Sequence, residues 1–460
     1  MVMWEIIGIA LQYLGNVISI VLVLAILSGR KEARATLGWV LLVVFLPYVG
    51  VLAYLVFGRG HPGFTARWQK EAGSCPVPEE DLPGPVTRTT RIIRKAPVRC
   101  GRLELLTSAQ EKYDRMEADI LGARHRVVMA YYVFRRDGTG RRFLELLARK
   151  AAEGVETCLL YDGWGAFGLG LGRFLKPYRD AGVRVRAFHP VSDPLKMSRI
   201  NFRNHRKVVV VDGRIAYTGS TNIGDEYLGL HPRFGEWKDV HVRLEGQAAA
   251  ALEAVFRQDW EVAVGERLRP SPPPPETGQT RVHVISSGPN EPQESLHALL
   301  FAQFAAARES IDILTPYLVP DQGIVGALTV AVRQGVRVRV LLPGRSNHPM
   351  VAAAGRSYYD ELLEEGVELY ETPEGMLHAK GILVDGAWAL VGSTNLDNRS
   401  FHLNFELNLA TSDPEFCAAL ARRFNTWAAE ARPVSAEELA RRPLARRLLE
   451  GACRTLSPVL

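Results

Sequence analysis

Two stretches of the chain repeat one pattern of polar residues. His-Arg-Lys-Val-Val-Val-Val-Asp-Gly at 205–213 returns as His-Ala-Lys-Gly-Ile-Leu-Val-Asp-Gly at 378–386, and the copies continue to Gly-Ser-Thr-Asn at 219–222 and 392–395. A repeat that served only the fold would need to retain just the apolar positions. The recurring His, Lys, Asp, Ser and Asn therefore predict two copies of one chemical site.

The residue types in each copy suit reactions at phosphorus. Each copy is rich in β-branched residues and is predicted as a strand, on which residues two apart share a face. His205 is then expected beside Lys207, and His378 beside Lys380. An ammonium group neutralises phosphate oxygens while an imidazole attacks phosphorus or carries a proton. Two such pairs facing each other would form one phosphodiester site.

These residues resemble the phospholipase D superfamily, whose pattern is His-x-Lys-x4-Asp followed by Gly-Gly/Ser-x-Asn. Longer matches resemble the bacterial cardiolipin synthases within it, namely Arg-Asn-His-Arg-Lys at 203–207, Asn-Ile-Gly-Asp-Glu-Tyr at 222–227, Asp-Asn-Arg-Ser-Phe at 397–401 and Asn-Phe-Glu at 404–406. The resemblance covers nearly the whole chain. It implies an α/β fold of two tandem phospholipase D-like domains related by a pseudo-twofold axis.

The resemblance also implies roles for the repeated residues. One histidine would be the nucleophile, forming a phosphohistidine, and the other the general acid and base. In the resembled family the N-terminal motif usually supplies the nucleophile, so we assign that role to His205 and the acid/base role to His378. The groups expected to bind the phosphate oxygens are Lys207, Lys380, Asn222 and Asn395, with further hydrogen bonds from Ser220 and Ser393.

Four carboxylates belong to the predicted site. By resemblance, an acid orients each imidazole, and Glu406 fits the family spacing after the second motif, with Asp239 as its counterpart in the first half. Asp212 and Asp385 complete the His-x-Lys-x4-Asp pattern and are counted with the catalytic residues. Each lies five residues after its lysine, on the opposite strand face, so a turn-capping role remains an equal alternative.

The elements around the motifs alternate between strand and helix patterns, which is typical of an α/β layer. The order of patterns begins again after Pro-Ser-Pro-Pro-Pro-Pro at 270–275, which is typical of a stiff linker. The predicted divisions are a transmembrane hairpin at 1–60, a juxtamembrane connector at 61–102, a first domain at 103–265, a linker at 266–279, a second domain at 280–432 and a basic tail at 433–460.

The N-terminus predicts a membrane anchor. Residues 6–27 and 37–57 are apolar runs long enough to span a bilayer, and the second carries no charge. Lysine and arginine flank both ends of the second run in nearly equal numbers: Arg30, Lys31 and Arg34 before it, Arg59, Arg67 and Lys70 after it. We expect two spans in the inner membrane with the catalytic part in the cytoplasm.

Composition narrows the possible partners. The formal charge of +6 suits an anionic membrane surface or nucleic acid, and the apolar runs favour the membrane. The five cysteines have neither paired nor metal-type spacing. Glycines 168, 170 and 172 lack the dinucleotide-binding pattern. We therefore expect no cofactor and no metal. In the tail, arginines among leucines and alanines predict an amphipathic helix that either lies on lipid or packs on the domain.

The leading functional hypothesis is a transphosphatidylase that forms cardiolipin from phosphatidylglycerol, with other anionic phospholipids as further partners. Because one diester bond replaces another, no nucleotide is required. The alternatives are a phospholipase D or a transphosphatidylase with a different acceptor, a membrane-tethered nuclease, and a lipid-binding protein without activity. Both motifs are intact, which disfavours the last, and no nucleic-acid partner is expected.

Overall fold

The computed structural model describes residues 2–29, 33–58, 84–191, 201–275, 278–289 and 295–457. Residues 59–83, most of the predicted connector, lie outside the described residues, as do 276–277 of the linker and 458–460 of the tail. The chain divides into two compact units. One comprises Met1–Gly63 with Val191–Phe202, and the other comprises Phe64–Pro190 with Arg203–Leu460.

The first unit is helical. Its elements are α1 (Val2–Leu27), α2 (Ala33–Phe45), α3 (Pro47–Ala53) and a π-helical turn (Tyr54–Gly58). Leu22, Ile26, Val43 and Tyr54 form its small core. Within the described residues, no helix is both long enough and apolar enough to cross a membrane. Of the charged residues used to predict orientation, all but Arg34 lie outside the described part of the chain.

The second unit contains both copies of the motif. The elements up to the linker are α4 (Gly84–Ile93), β1 (Val98–Cys100), β2 (Leu103–Leu106), α5 (Ala109–Leu121), β3 (Arg126–Tyr131), α6 (Gly138–Ala152), β4 (Glu156–Asp162), α7 (Phe167–Gly170), α8 (Lys176–Asp180), β5 (Arg184–Phe188), β6 (Val208–Val211), β7 (Ile215–Gly219), a 3₁₀ turn (Asp225–Leu228), β8 (Trp237–Lys238), β9 (His241–Glu245) and α9 (Gln247–Val264).

The elements after the linker complete this unit. They are β10 (Thr280–Ser287), α10 (Ser295–Ala305), β11 (Ser310–Leu314), β12 (Leu318–Val319), α11 (Gln322–Arg333), β13 (Arg337–Pro343), α12 (Pro349–Arg356), α13 (Tyr359–Glu364), β14 (Glu368–Thr372), β15 (Met376–Leu377), β16 (Gly381–Val384), β17 (Trp388–Gly392), β18 (Leu396–Asp397), α14 (Asn398–His402), β19 (Glu406–Thr411), α15 (Pro414–Glu430), β20 (Arg432–Pro433), α16 (Ala436–Ala440) and α17 (Leu444–Thr455).

Two sheets with the same topology confirm the predicted duplication of an α/β domain. The first has the order β2-β9-β7-β6-β3-β4-β5, and the second repeats it as β10-β19-β17-β16-β11-β13-β14, with β1 and β20 added at its edges. In each sheet the last three of these strands are parallel and the others pair antiparallel. The two motif strands, β6 and β16, hold equivalent central positions.

Helices cover the sheets and begin at side-chain caps. Ser108, Asp137, Asp321 and Asp413 each accept a hydrogen bond from a backbone N–H three residues later, at the starts of α5, α6, α11 and α15. Each cap contributes about 1 kcal/mol by satisfying a donor that the helix cannot. The helices bury their apolar faces in two cores, one for each half.

Part of the predicted connector belongs to the second half. In α4 the helical spacing of Val86, Thr89, Thr90 and Ile93 gives a buried face, and Ile93 joins the second core. The hydroxyl of Thr90 lies 2.9 Å from Nε2 of His283 on β10. Strand β1 extends the second sheet by pairing with β10. The prediction missed this helix because its apolar residues are few and interspersed with arginines.

The linker and the tail both pack on the second unit. Ser271 of the linker donates to Glu253 of α9 at 2.6 Å, and Arg126 donates to the backbone oxygen of Arg269 at 2.5 Å. In the tail, α17 packs against α12. The guanidinium of Arg454 lies 4.2 Å from the centre of the Tyr358 ring. The tail was predicted either to lie on lipid or to pack on the domain, and the structure shows that it packs on the domain.

Candidate active site

Short backbone pairings between the two halves bring the motifs together. Asn204 bridges to Phe405, and the N–H of His205 donates to the oxygen of Phe405 at 2.9 Å. The equivalent contact in the second motif is made by β15, which pairs with β8, and the N–H of His378 donates to the oxygen of Lys238 at 2.8 Å. Each histidine segment is therefore fixed on the other half.

Because of this pairing, the histidine of each half contacts a carboxylate that belongs to the other half. Glu406 follows Phe405 directly, and its carboxylate lies 3.0 Å from Nδ1 of His205. Asp239 follows Lys238 and lies 3.0 Å from Nδ1 of His378. A carboxylate at Nδ1 favours the tautomer with the proton on that nitrogen and leaves Nε2 as the basic atom. Both imidazoles thus present Nε2 for chemistry.

Each histidine segment precedes its strand. Strands β6 and β16 begin at Val208 and Gly381, so the prediction that the histidine and lysine lie within the strand is wrong by a few residues. The reason is that the backbone at these histidines bonds to the opposite half and not along its own sheet. Extended geometry still holds the pair together, since Nζ of Lys380 lies 3.0 Å from Nε2 of His378.

Burial determines the charge state of the histidines. Burial lowers the pKa of His205 to about 4, although Glu406 acts in the opposite direction. Burial and the charge of Lys380 lower the pKa of His378 to about 3. The partner carboxylates stay ionised, because the histidines and lysines hold the pKa values of Asp239 and Glu406 below their usual range despite burial. Both histidines are therefore neutral bases at neutral pH.

The lysines add positive charge close to both histidines. Lys207 and Lys380 are buried, and each donates to the backbone oxygen of the histidine two residues before it, at 2.6 and 2.7 Å. Burial lowers the pKa of Lys207 to about 8 and that of Lys380 to about 7, where the neighbouring Lys207 contributes too. The backbone hydrogen bonds between the halves bring the two motifs into one shared site, where each lysine lowers the pKa of both histidines.

The serines bind the carboxylates. Ser220 donates to Asp239, and Ser393 donates to Glu406. A hydroxyl has one proton to donate, and in this arrangement a carboxylate accepts it, so the hydrogen bonds from these serines to phosphate stay a prediction. Asn222 and Asn395 are buried beside them, and the side-chain oxygen of Asn222 accepts from the N–H of Val133 at 3.1 Å. This bond leaves the amide group of Asn222 as the donor.

Asp212 and Asp385 are not brought to the site. Each lies at the far end of its motif strand in an Asp-Gly turn, with φ of 51°, a conformation that aspartate tolerates and that two-residue hairpins favour. The carboxylate of Asp212 accepts backbone N–H groups of residues 124–126, and that of Asp385 accepts those of residues 308–310. These contacts agree with the turn-capping alternative. The prediction that counted Asp212 and Asp385 with the catalytic residues is therefore wrong.

Three further residues surround the histidines. The Tyr132 ring lies 4.9 Å from the imidazole of His205, and the Trp237 ring lies 5.4 Å from that of His378. Arg206 is fully buried; it pairs with Asp259 at 2.5 Å and donates to the backbone oxygen of Glu406 at 3.0 Å. The sequence signal for Arg206 was its position between His205 and Lys207. In an extended chain successive side chains alternate in direction, so Arg206 points away from the side on which His205 and Lys207 lie.

Two equivalent α/β domains that share one site, each contributing a His-x-Lys motif, define a phospholipase D-like protein. The model of the cardiolipin synthase, phospholipase D-like domain matches residues 116–260 and 300–427, and the phospholipase D-nuclease N-terminal model matches residues 17–59. The chain belongs to the cardiolipin synthase family.

Individual relatives agree with this family. The chain is 38% identical to a cardiolipin synthase of Geobacillus kaustophilus, covering 97% of this chain and 92% of the relative. It is 37% identical to one of Geobacillus thermodenitrificans, covering 94% and 90%. Among solved structures, the phosphatidylserine synthase of Haemophilus influenzae aligns with a TM-score of 0.61 at 16% identity, covering 82% of this chain and all of that one, which is a likeness of fold.

Proposed function

We propose that the protein is a cardiolipin synthase that transfers a phosphatidyl group from one phosphatidylglycerol to another and releases glycerol. The observation that carries the proposal is the crossed arrangement of the two histidines, each held at Nδ1 by a carboxylate of the other half. This arrangement provides two basic nitrogens beside two ammonium groups. The family membership supplies the substrate class.

In the first step, Nε2 of His205 attacks phosphorus and the bond to the glycerol oxygen breaks. His378 gives its proton to that oxygen, so glycerol leaves neutral. The bound diester anion raises the pKa of His378 above its value in the free protein, because an opposite charge favours the imidazolium. Lys207, Lys380 and the two asparagines bind the phosphate oxygens and stabilise the charge that builds in the transition state.

In the second step, a hydroxyl of the incoming phosphatidylglycerol attacks the phosphohistidine. His378 takes the hydroxyl proton, the bond from phosphorus to His205 breaks, and cardiolipin leaves. Asp239 and Glu406 hold the imidazoles in orientation through both steps, and the serines hold these carboxylates. The chemistry lies between a first domain at 103–265 and a second at 280–432, and α4 and β1 of the predicted connector add to the second domain.

The N-terminal hairpin anchors this chemistry at the inner membrane, with the catalytic part on the cytoplasmic side. Two apolar runs, 6–27 and 37–57, support the anchor. Among the described side chains of α1, Ile20, Val21 and Leu24 are each about 60% exposed, which is unfavourable in water and favourable in lipid. The match to the N-terminal family model covers the same segment.

The products of purified full-length protein test the reaction. The protein is supplied with phosphatidylglycerol in detergent micelles, and the lipids are resolved by mass. We expect cardiolipin with an equal amount of glycerol. Phosphatidic acid as the sole lipid product would identify a hydrolase, and loss of nucleic acid in a parallel assay without lipid turnover would identify a nuclease.

Trapping of the covalent intermediate tests the assignment of the histidines. With an activated phosphodiester, whose leaving group needs no proton, His378→Ala should form the adduct on residue 205 and release it slowly. His205→Ala should form none. Peptide mass mapping after a rapid quench that avoids acid locates the adduct. An adduct on His378 would reverse the assignment, and absence of adduct in every variant would exclude a covalent step.

A further inference from the structure

A basic groove lies near the active site, and none of the catalytic or phosphate-binding residues lines it. Its volume is about 490 Å³, and its lining includes Arg233, Arg345, Arg356, Arg446, Leu449 and Glu450. Arg233 comes from the first half, in the segment before β8, and the others come from α12, α17 and the loop before α12. The two halves thus contribute to this groove as they do to the catalytic site.

The groove has positive charge that its own carboxylates do not neutralise. Arg356 pairs with Glu371 at 2.9 Å, and Arg446 pairs with Glu450 at 3.1 Å. Within the described residues, Arg233 and Arg345 have no carboxylate partner, and both are exposed. Arginine forms paired hydrogen bonds to phosphate oxygens, so two guanidinium groups without a carboxylate partner at one groove suit a phosphodiester anion.

One chain of contacts connects the groove to His378, and a second connects it to Tyr317. Phe234, the neighbour of Arg233, lies 6.0 Å from the Trp237 ring, which in turn lies 5.4 Å from His378. On the other side, the loop that carries Arg345 continues to Asn347, which accepts from the Tyr317 hydroxyl at 2.7 Å, and to His348, whose ring lies 5.6 Å from that of Tyr317. Burial and the charge of Lys380 lower the pKa of His348, consistent with a position near the catalytic lysine.

Exposed apolar residues lie in the lining of the groove and next to lining residues in the sequence. Leu449 is 59% exposed and lines it, and Leu448 on the same helix is 64% exposed. Met350 follows the lining residue Pro349 and is 53% exposed. A groove with guanidinium groups inside and apolar side chains at its rim fits an amphiphile with a phosphate headgroup. Such exposed apolar positions on a soluble surface are costly unless something covers them.

We propose that this groove binds the headgroup phosphate of the acceptor phospholipid, with Arg233 and Arg345 as its principal ligands. The inference rests on the proposed function, because transfer to a second phosphatidylglycerol requires a place for that lipid's own phosphate. In the product the two phosphates are one glycerol unit apart. A second anion so close to the first requires its own positive groups, and Lys207 and Lys380 are already bound to the transferred phosphate.

Comparison of a charged and a neutral acceptor tests the proposal in full-length protein. In micelles of phosphatidylglycerol with labelled glycerol, label enters phosphatidylglycerol when glycerol accepts the phosphatidyl group, and cardiolipin forms when the lipid accepts it. We expect the double variant Arg233→Gln/Arg345→Gln to form cardiolipin ~10-fold more slowly, corresponding to the loss of about one charge-assisted hydrogen bond. Glycerol exchange should change less than about twofold, because it needs only the donor site.

Matched variants separate charge from fold. Arg447→Gln removes an exposed arginine of α17 outside the lining and should leave both reactions unchanged. Arg233→Lys/Arg345→Lys keeps the charge and should recover part of the lost cardiolipin formation. Equal loss of both reactions in the glutamine double variant would place the donor lipid in the groove and overturn the proposal. No loss in either reaction would overturn it too.

Two further measurements distinguish a lipid headgroup phosphate from free inorganic phosphate as the ligand of the groove. Inorganic phosphate at the concentration of the lipid should not inhibit cardiolipin formation, because it gains nothing from the apolar rim. Inhibition by phosphate that disappears in the glutamine double variant would make this a free-phosphate site and overturn the lipid proposal. A wild-type protein that exchanges glycerol but never forms cardiolipin would instead overturn the proposed function, and the groove would then have no acceptor lipid to bind.

Discussion

At the scale of single residues, the contact of each carboxylate with the histidine of the opposite half predicts different effects for Glu406 and Asp239 variants. The sequence order alone would not predict this difference. If Glu406 serves His205, Glu406→Gln should prevent adduct formation even with an activated phosphodiester. If Asp239 serves His378, Asp239→Asn should still form the adduct on residue 205 and release it slowly. Each change should lower kcat/KM by roughly 100-fold or more, because it removes the charge that stabilises and orients an imidazole.

Mass mapping of the quenched enzymes measures both effects. Glu406→Gln and Asp239→Asn are compared because each removes a charge but keeps the shape of the side chain, and thus the packing at a buried position. The opposite pattern, with a slow release in Glu406→Gln and no adduct in Asp239→Asn, would mean that each carboxylate acts within its own half.

The pKa values of the two lysines predict how kcat/KM depends on pH. Lys380 and Lys207 have pKa values of about 7 and 8, so raising the pH through this range removes the ammonium charges that bind phosphate. A plot of kcat/KM against pH, which reports groups of the free enzyme, should therefore fall on the alkaline side between pH ~7 and ~8. On the acid side, activity should persist below the usual histidine range, because burial keeps the nucleophile His205 neutral there.

A lysine-to-arginine exchange checks this assignment. Lys380→Arg keeps its charge at high pH and should move the alkaline limb upward, even if the absolute rate falls. Lys176→Arg, at a lysine that is 62% exposed and paired with Asp180, is the control and should leave the profile unchanged. An alkaline limb that stays in place in Lys380→Arg would show that another group titrates there.

At the scale of elements, α4 and β1 behave as part of the second half. A chain that begins at residue 64 should retain the Tm of the second unit. A chain that begins at residue 102 loses Ile93 from the second core, the Thr90–His283 hydrogen bond and the pairing of β1 with β10. We expect its Tm to be lower by about 5 °C or more, since burial of a single isoleucine contributes about 2–5 kcal/mol.

Thermal unfolding followed by circular dichroism makes this comparison in detergent. Ile93→Ala in the full chain is the single-residue version and should reproduce a large part of the loss. Equal Tm values for the two truncated chains would mean that α4 and β1 do not stabilise the second half.

At the scale of the whole molecule, the halves are held together by direct contacts and do not depend on the linker. Arg206 of the first half donates to the backbone oxygens of Glu406 and Ser287, each at 3.0 Å, and Lys238 pairs with Glu430 at 2.5 Å. A protease site inserted between Pro275 and Gly278 should therefore yield, after cleavage, two fragments that co-elute. The nicked protein should retain at least about half of its activity, because interfaces of this kind need no covalent link.

Size exclusion in detergent before and after cleavage, with cardiolipin formation measured on the same samples, gives the result. Arg206→Met should weaken the association of the nicked fragments, since it removes the hydrogen bonds from Arg206 to the backbone oxygens of Glu406 and Ser287 and the buried charge that pairs with Asp259. Separation of the wild-type fragments after cleavage would show that the covalent linker is needed to hold the halves together.

The repeated chemistry and the duplicated α/β fold could be predicted from the amino-acid sequence. Residue types and their spacing are local properties, so a repeated His-x-Lys motif and a repeated strand and helix pattern are readable without coordinates. The same local reasoning located the Asp-Gly turns after both motif strands, with capping kept as one of two roles for Asp212 and Asp385. It did not detect α4, whose buried face comprises only a few residues spread over three helical turns.

The contacts between groups that are distant in the sequence could not be predicted in this way. Glu406 and His205 are 201 residues apart, and their contact depends on a backbone pairing between halves that no local pattern encodes. Within each half, the pairing of neighbouring strands places a serine beside a carboxylate, and the packing of the two halves brings arginines distant in sequence to one groove. Local periodicity fixes the face on which a side chain lies, whereas the packing of two domains fixes what lies opposite that face.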